Sequence, residues 1–128
     1  MSSPKKKSPG SRITAVRIAL DGLKQVFVSE PNARIHALIT LAVIIAGWLF
    51  QISRLEWLSL ALTVGLVWVA EIFNTAVEKL VDLASPEIHP AAKAVKDISA
   101  GAVLASAVTA VVVGILIFGP RLWLLINW

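Results

Sequence analysis

The sequence predicts an all-α integral membrane chain, with three spanning helices preceded by an amphipathic helix lying in the membrane interface. Three observations lead there. Of its 128 residues, 57% are hydrophobic and the mean hydropathy is +0.79, above ordinary soluble usage. Three apolar runs follow one another and end near residues 52, 84 and 118, where a helix needs ~20 predominantly apolar residues to cross a bilayer. Trp48, Trp57, Trp123 and Trp128 stand near the ends of those runs, as an aromatic belt would place them.

In chain order, residues 1–11 (MSSPKKKSPGS) are polar and rich in Pro, Ser and Gly, and are expected to be a disordered basic tail. No uninterrupted apolar core or Ala-x-Ala site follows soon after, so the start does not read as a cleaved signal. Residues 12–128 form one membrane-embedded domain. From 12 to 29, Ile13, Val16, Leu20, Leu23 and Phe27 recur at steps of three or four, while Arg17, Asp21, Lys24 and Gln25 fall mostly elsewhere. That pattern suits an interfacial helix with a basic polar face. Glu30-Pro31-Asn32 breaks it, because proline opposes helical conformation in the residue before it. The spans are expected at about 32–52, 56–84 and 92–118. The last holds the clearest signal, being free of charge from Ile98 to Phe118. Ser85-Pro86 and His89-Pro90 bracket the loop before it.

Charge and composition narrow the setting. The formal charge is +4, and Lys5, Lys6, Lys7, Arg12, Arg17 and Lys24 are half of the 12 basic residues. Beside so much apolar sequence, this points to an anionic membrane surface rather than nucleic acid. The 80–97 connection adds Lys93 and Lys96, whereas the 51–56 loop has only Arg54 and the C-terminal segment only Arg121. The positive-inside rule then puts the N-terminus and the 80–97 connection in the cytoplasm. With no cysteine there is no disulfide framework and no thiolate metal or redox site.

The chemistry is concentrated at the end of the second span. Glu71, Asn74, Glu78 and Asp82 are spaced by three, four and four, so all four point within about 80° of one another on a helix. Carboxylates near hydrocarbon are expensive unless paired, hydrated or buried against protein. A divalent cation answers three of them on one stripe, and Mg²⁺ is the usual ion where phosphates complete the ligand set. Pairing of Glu78 and Asp82 with Lys79, Lys93 or Lys96 is the plainer reading. Lys96-Asp97 sits at the same depth; a lysine there anchors a span at the interface or holds phosphate as a point charge. Glu30 stands where a second helix could bring it to the metal. Arg34 and His36 are candidate headgroup or substrate contacts, and His89, beside Glu87, either touches nucleotide or faces solvent. Ser99-Ala100-Gly101-Ala102 is a run of small residues that favours close helix packing.

The soluble phosphotransferase signatures, GxxxxGK[ST] and the kinase glycine loop with His-Arg-Asp, are absent, as is HExxH. Besides a kinase, a carboxylate stripe fits a small cation channel or a structural subunit that pairs with a partner's basic residues.

The stretch Glu71-Ile-Phe-Asn74-Thr-Ala-Val-Glu78-Lys-Leu-Val-Asp82 resembles the signature of the prokaryotic diacylglycerol kinase family. His89-Pro90, Lys96-Asp97 and Ala-Gly-Ala-Val at 100–103 match its second block, and Glu30 with Arg34-Ile35-His36 resembles its N-terminal block. The resemblance implies a homotrimer in the bacterial inner (cytoplasmic) membrane, with sites shared between subunits, moving the γ-phosphate of MgATP to a lipid hydroxyl. Carried over by position, Glu71 is the general base and a candidate substrate contact; Glu30 and Glu78 hold Mg²⁺ and, with Asn74, Glu87, His89, Lys96 and Asp97, contact ATP. Arg34-Ile35-His36 and the 89–97 stretch are more similar to the undecaprenol kinase branch than to the diacylglycerol kinases, which implies undecaprenol as acceptor and diacylglycerol as the alternative. Ile18 and Ala19 stand where the diacylglycerol kinases carry polar or aromatic residues, so no role is carried onto them.

Overall fold

A computed structural model describes residues 9–128 as four helices: α1 (Pro9–Ser29), α2 (Pro31–Leu49), α3 (Arg54–Ala84) and α4 (Pro90–Ile126). Most of the expected disordered tail lies outside the described residues. Its last three positions depart from the expectation, since 9–11 form the first turn of α1, where the Thr14 hydroxyl donates to the Gly10 carbonyl at 2.9 Å. Helices α2, α3 and α4 are each long and apolar enough to cross a membrane. Helices satisfy that setting because hydrocarbon offers no partner to a free backbone N–H or C=O.

The turn between α2 and α3 comes earlier than the expected gap between 52 and 56, at residues 50–53, for two local reasons. The Gln51 amide donates to Trp48 O and the Ile52 amide to Gly47 O, the paired bonds of a Schellman ending. Gln51 occupies its left-handed position, with φ 49°. Then Ser53 caps α3: its hydroxyl accepts from the Glu56 amide, and the Glu56 carboxylate accepts from the Ser53 amide, a capping box.

Helix α4 also overruns its expected end at 118, continuing through Pro120 to Ile126. A proline inside a helix removes one backbone bond and costs about 3 kcal/mol. Here the continuation carries Arg121 to Glu56. Its guanidinium donates to both carboxylate oxygens, at 2.8 and 2.9 Å, and also to the Ile117 carbonyl. A bidentate, charge-assisted pair is the strong form of the interaction, and it ties the start of α3 to the end of α4.

Packing is densest at that same end. Ile52, Leu60 and Ile117 form the buried core, with Trp57, Phe50 and Phe118 against it. The Phe50 and Phe118 rings stand 6.0 Å apart. Gly47 is where α2 passes Trp57; a Cβ there would lie 2.6 Å from the indole. Helix α3 runs along α4 for much of its length, whereas α2 meets α3 over a shorter stretch and α1 touches both lightly. On α1 only Val26 is buried, while Ile13, Val16, Leu20, Leu23 and Phe27 stay exposed. Of the spanning windows, only 11%, 28% and 11% of residues are buried in one chain, so most apolar faces are left for lipid or protein to cover.

Two substitutions test the turn. Gln51→Gly removes the left-handed penalty and should raise the thermal midpoint of the detergent-solubilised protein, by about 0.5–1 kcal/mol of stability. Gly47→Val should lower it by about 1–3 kcal/mol, because the rigid Trp57 ring cannot yield without repacking.

Candidate functional site

The site is built where α2 leaves α1. Glu30 is extended (φ −109°, ψ 113°) and Pro31 opens α2, so the chain turns sharply. Arg34 fixes the turn by donating to the last carbonyls of α1, Phe27 O at 3.3 Å and Val28 O at 2.7 Å. In the same turn Ala33 is wholly buried, and so small a residue lets helices approach closely. His36 and Thr40 continue the face that Ala33 begins, at steps of three and four.

Helix α3 meets that face with an inward stripe of Leu60, Thr63, Val67, Glu71 and Thr75, all buried. Glu71 therefore occupies a core position and is 2% exposed. Its Oε2 lies 3.6 Å from Nε2 of His36, and that oxygen has no hydrogen-bond partner. The His36 ring meets Trp68 edge-on, with centroids 6.5 Å apart. The indole N–H of Trp68 donates to the Thr40 hydroxyl at 3.2 Å, and that hydroxyl donates to the His36 carbonyl at 2.7 Å. From His36 an apolar crevice of about 300 Å³ runs between α2, α3 and α4, past Val43, Leu60, Val67, Ala107 and Val111.

Exposure grades along the predicted stripe. Glu71 is buried, Asn74 and Glu78 are half-buried, and Asp82 is exposed. The Asn74 amide donates to Glu78 Oε1 at 3.3 Å, and its own Oδ1 is buried without a partner. Asp82 turns to α4, where it accepts from Lys96, so the plainer reading of an Asp82–lysine pair is what forms. Both groups are well exposed, and such a pair contributes little stability.

A second, polar cleft of about 270 Å³ lies at this end, lined by Asp82, Glu87, His89, Lys93 and Lys96 among others. Three of the four nucleotide contacts predicted in residues 87–97 therefore line one cavity. The fourth, Asp97, pairs instead with Lys93 on its own helix. His89 has a role beyond the two alternatives read from the sequence: it caps α4, its Nδ1 accepting from the Ala91 amide at 3.1 Å.

The structure thus brings together His36 with Glu71, Asn74 with Glu78, and Lys96 with Asp82. Glu30 stands at the start of α2 and accepts from the Ser29 hydroxyl; among the described residues no three His, Cys, Asp or Glu side chains converge as a metal cage. Magnesium rarely uses such a cage, taking one or two carboxylates with waters and phosphate oxygens. Glu78 beside the unpartnered Oδ1 of Asn74 fits that donor set. Thr40 and Trp68 were missed from the sequence; a lone tryptophan at mid-span, away from the aromatic belt, was the signal that could have found them.

A profile for prokaryotic diacylglycerol kinase matches residues 17–118. The chain belongs to that family. Over 101 residues it is 42% identical to the undecaprenol kinase of Bacillus subtilis, covering 79% of this chain and 82% of the relative. It is 40% identical over 116 residues to a diacylglycerol kinase of Synechocystis, covering 89% of this chain and 66% of the relative, and 33% identical over 101 residues to that of Escherichia coli K12, covering 78% and 82%. The family and the three apolar helices make this protein a multi-pass membrane lipid kinase with a nucleotide as phosphate donor.

His89 should show its capping role in stability. His89→Ala is expected to lower the thermal midpoint by about 1 kcal/mol of stability, and His89→Asn, with a good capping side chain, to restore it.

Proposed function

We propose that this kinase transfers the γ-phosphate of MgATP to the hydroxyl of undecaprenol, giving undecaprenyl phosphate. It works as a homotrimer in the bacterial inner membrane, with the N-terminus and the 85–89 loop cytoplasmic. The observation that carries the reading is Glu71, a family-signature carboxylate buried beside His36, which lines an apolar crevice. A positioned carboxylate can take the proton of a reacting alcohol as its oxygen attacks phosphorus.

Phosphoryl transfer asks chiefly for positioning and charge neutralisation. Glu71 takes the hydroxyl proton. Glu78 and Glu30 hold Mg²⁺, Asn74 lines the same site, and Glu87, His89, Lys96 and Asp97 bind nucleotide. Bound Mg²⁺ offsets the negative charge of the phosphates as the terminal one is transferred. A site shared between neighbouring subunits fits the uncovered faces of the spans, which supply the surface for it. The exposed apolar side of α1, with its basic residues, suits the interface of an anionic membrane.

Undecaprenol is favoured by the 42% identity to an undecaprenol kinase and by the wholly apolar or hydroxyl-bearing character of the crevice below His36. Diacylglycerol is the second reading, supported by the 40% identity to a diacylglycerol kinase. Purified protein should phosphorylate undecaprenol in preference when both alcohols are offered separately with MgATP; preference for diacylglycerol would overturn the acceptor and keep the mechanism. Glu71→Gln should cost about 10²- to 10⁴-fold in kcat with the assembly intact by size-exclusion chromatography, and an active variant would remove Glu71 as the base.

A further inference from the structure

Among the described residues, Glu71 Oε2 is the one carboxylate oxygen that is wholly buried and without a hydrogen-bond partner. An isolated charge in apolar surroundings is costly, so such an oxygen needs a donor. Arg34, the basic side chain next to His36 at the start of α2, is committed to the carbonyls of α1. The group that faces Oε2 is His36, with Nε2 at 3.6 Å. Its ring meets Trp68 edge-on, and the Thr40 hydroxyl links the Trp68 indole to the His36 backbone carbonyl. The crevice beyond it offers no other titratable side chain.

We propose that His36 is a positioning residue for phosphoryl transfer: its Nε2–H holds Glu71 Oε2, leaving Oε1 to meet the acceptor hydroxyl. The inference rests on Glu71 being the base. At 3.6 Å the two atoms stand about half an ångström outside hydrogen-bond reach, and contacts of this kind tighten when substrate binds. In the step, the acceptor oxygen bonds the γ-phosphorus as the bond to the β,γ-bridging oxygen breaks. ADP leaves with that electron pair, and the hydroxyl proton passes to Oε1. His36 keeps its own proton and fixes which carboxylate oxygen reacts.

The test compares His36→Leu, which keeps bulk and removes the donor, with His36→Gln, whose amide N–H reaches a similar point. Steady-state kinetics on the lipid alcohol should show kcat about 10- to 100-fold lower for His36→Leu, an unchanged KM for MgATP, and recovery to within a few-fold for His36→Gln. Should His36→Leu fail to fold, His36→Asn, whose amide stops short of Glu71, takes its place. A second readout needs no turnover. Dicyclohexylcarbodiimide modifies protonated carboxyls in apolar surroundings, and mass spectrometry should find Glu71 labelled several-fold more in His36→Leu than in the wild type or His36→Gln. Equal labelling in all three, or equal loss of kcat in Leu and Gln variants, would overturn the role. Labelling reads the contact whichever alcohol is phosphorylated, so it separates this inference from the kinase assignment.

Discussion

A carboxylate in the middle of an apolar helix pair is the constraint around which this chain is arranged. Glu71 lies on the same inward stripe as Leu60, Val67 and Thr75, so the packing that buries those residues also removes Glu71 from solvent. Desolvating a charge costs several kcal/mol unless a partner compensates, and the partner comes from α2. The break at Glu30-Pro31, the Arg34 clamp on the end of α1 and the buried Ala33 together set where α2 starts and how closely it approaches. His36 is thereby carried to Oε2, and Trp68 and Thr40 keep it there. A polar site with so few members is a high-stakes arrangement, since an unsatisfied group in low dielectric is expensive.

The two ends of the bundle have been given different work. At the 50–53 turn everything is satisfied and closed: a Schellman ending, a capping box, the Glu56–Arg121 pair and an aromatic cluster share a few residues. At the 85–89 end, the helices present half-buried and exposed polar groups around an open cleft. The closed end holds α3 and α4 in register, and the open end is free to bind a ligand with charge. Exposure rises along one helix face from Glu71, buried beside His36, to Asp82, which lines the polar cleft.

Much of this was legible in the residues. The spans follow from uninterrupted apolar length, and the 71–74–78–82 stripe from helical spacing alone. The misjudged boundaries have local causes. Ser53 and Glu56 form an S-x-x-E pattern that marks a helix start, which would have moved α3 to Arg54. Pro120 reads as a stop in isolation, and α4 passes through it because Arg121 finds Glu56 some 65 positions earlier. The structural contacts of Arg34 and His89 escaped the sequence for the same kind of reason. One is a clamp on another helix and the other a cap, and neither partner is marked by residue type.

The sequence by itself determined how many helices cross, which carboxylates share a face, and the family, because these depend on composition, on a fixed 100° per residue and on contiguous motifs. The tertiary structure decided which polar group answers which. Asp82 took Lys96 and Glu71 faced His36, although all four were visible as candidates. The physical reason is that pairing in low dielectric is settled by distances of a few ångströms across different helices. Those distances depend on how closely α2 and α4 pack on α3, which small residues, a proline hinge and a distant ion pair control together.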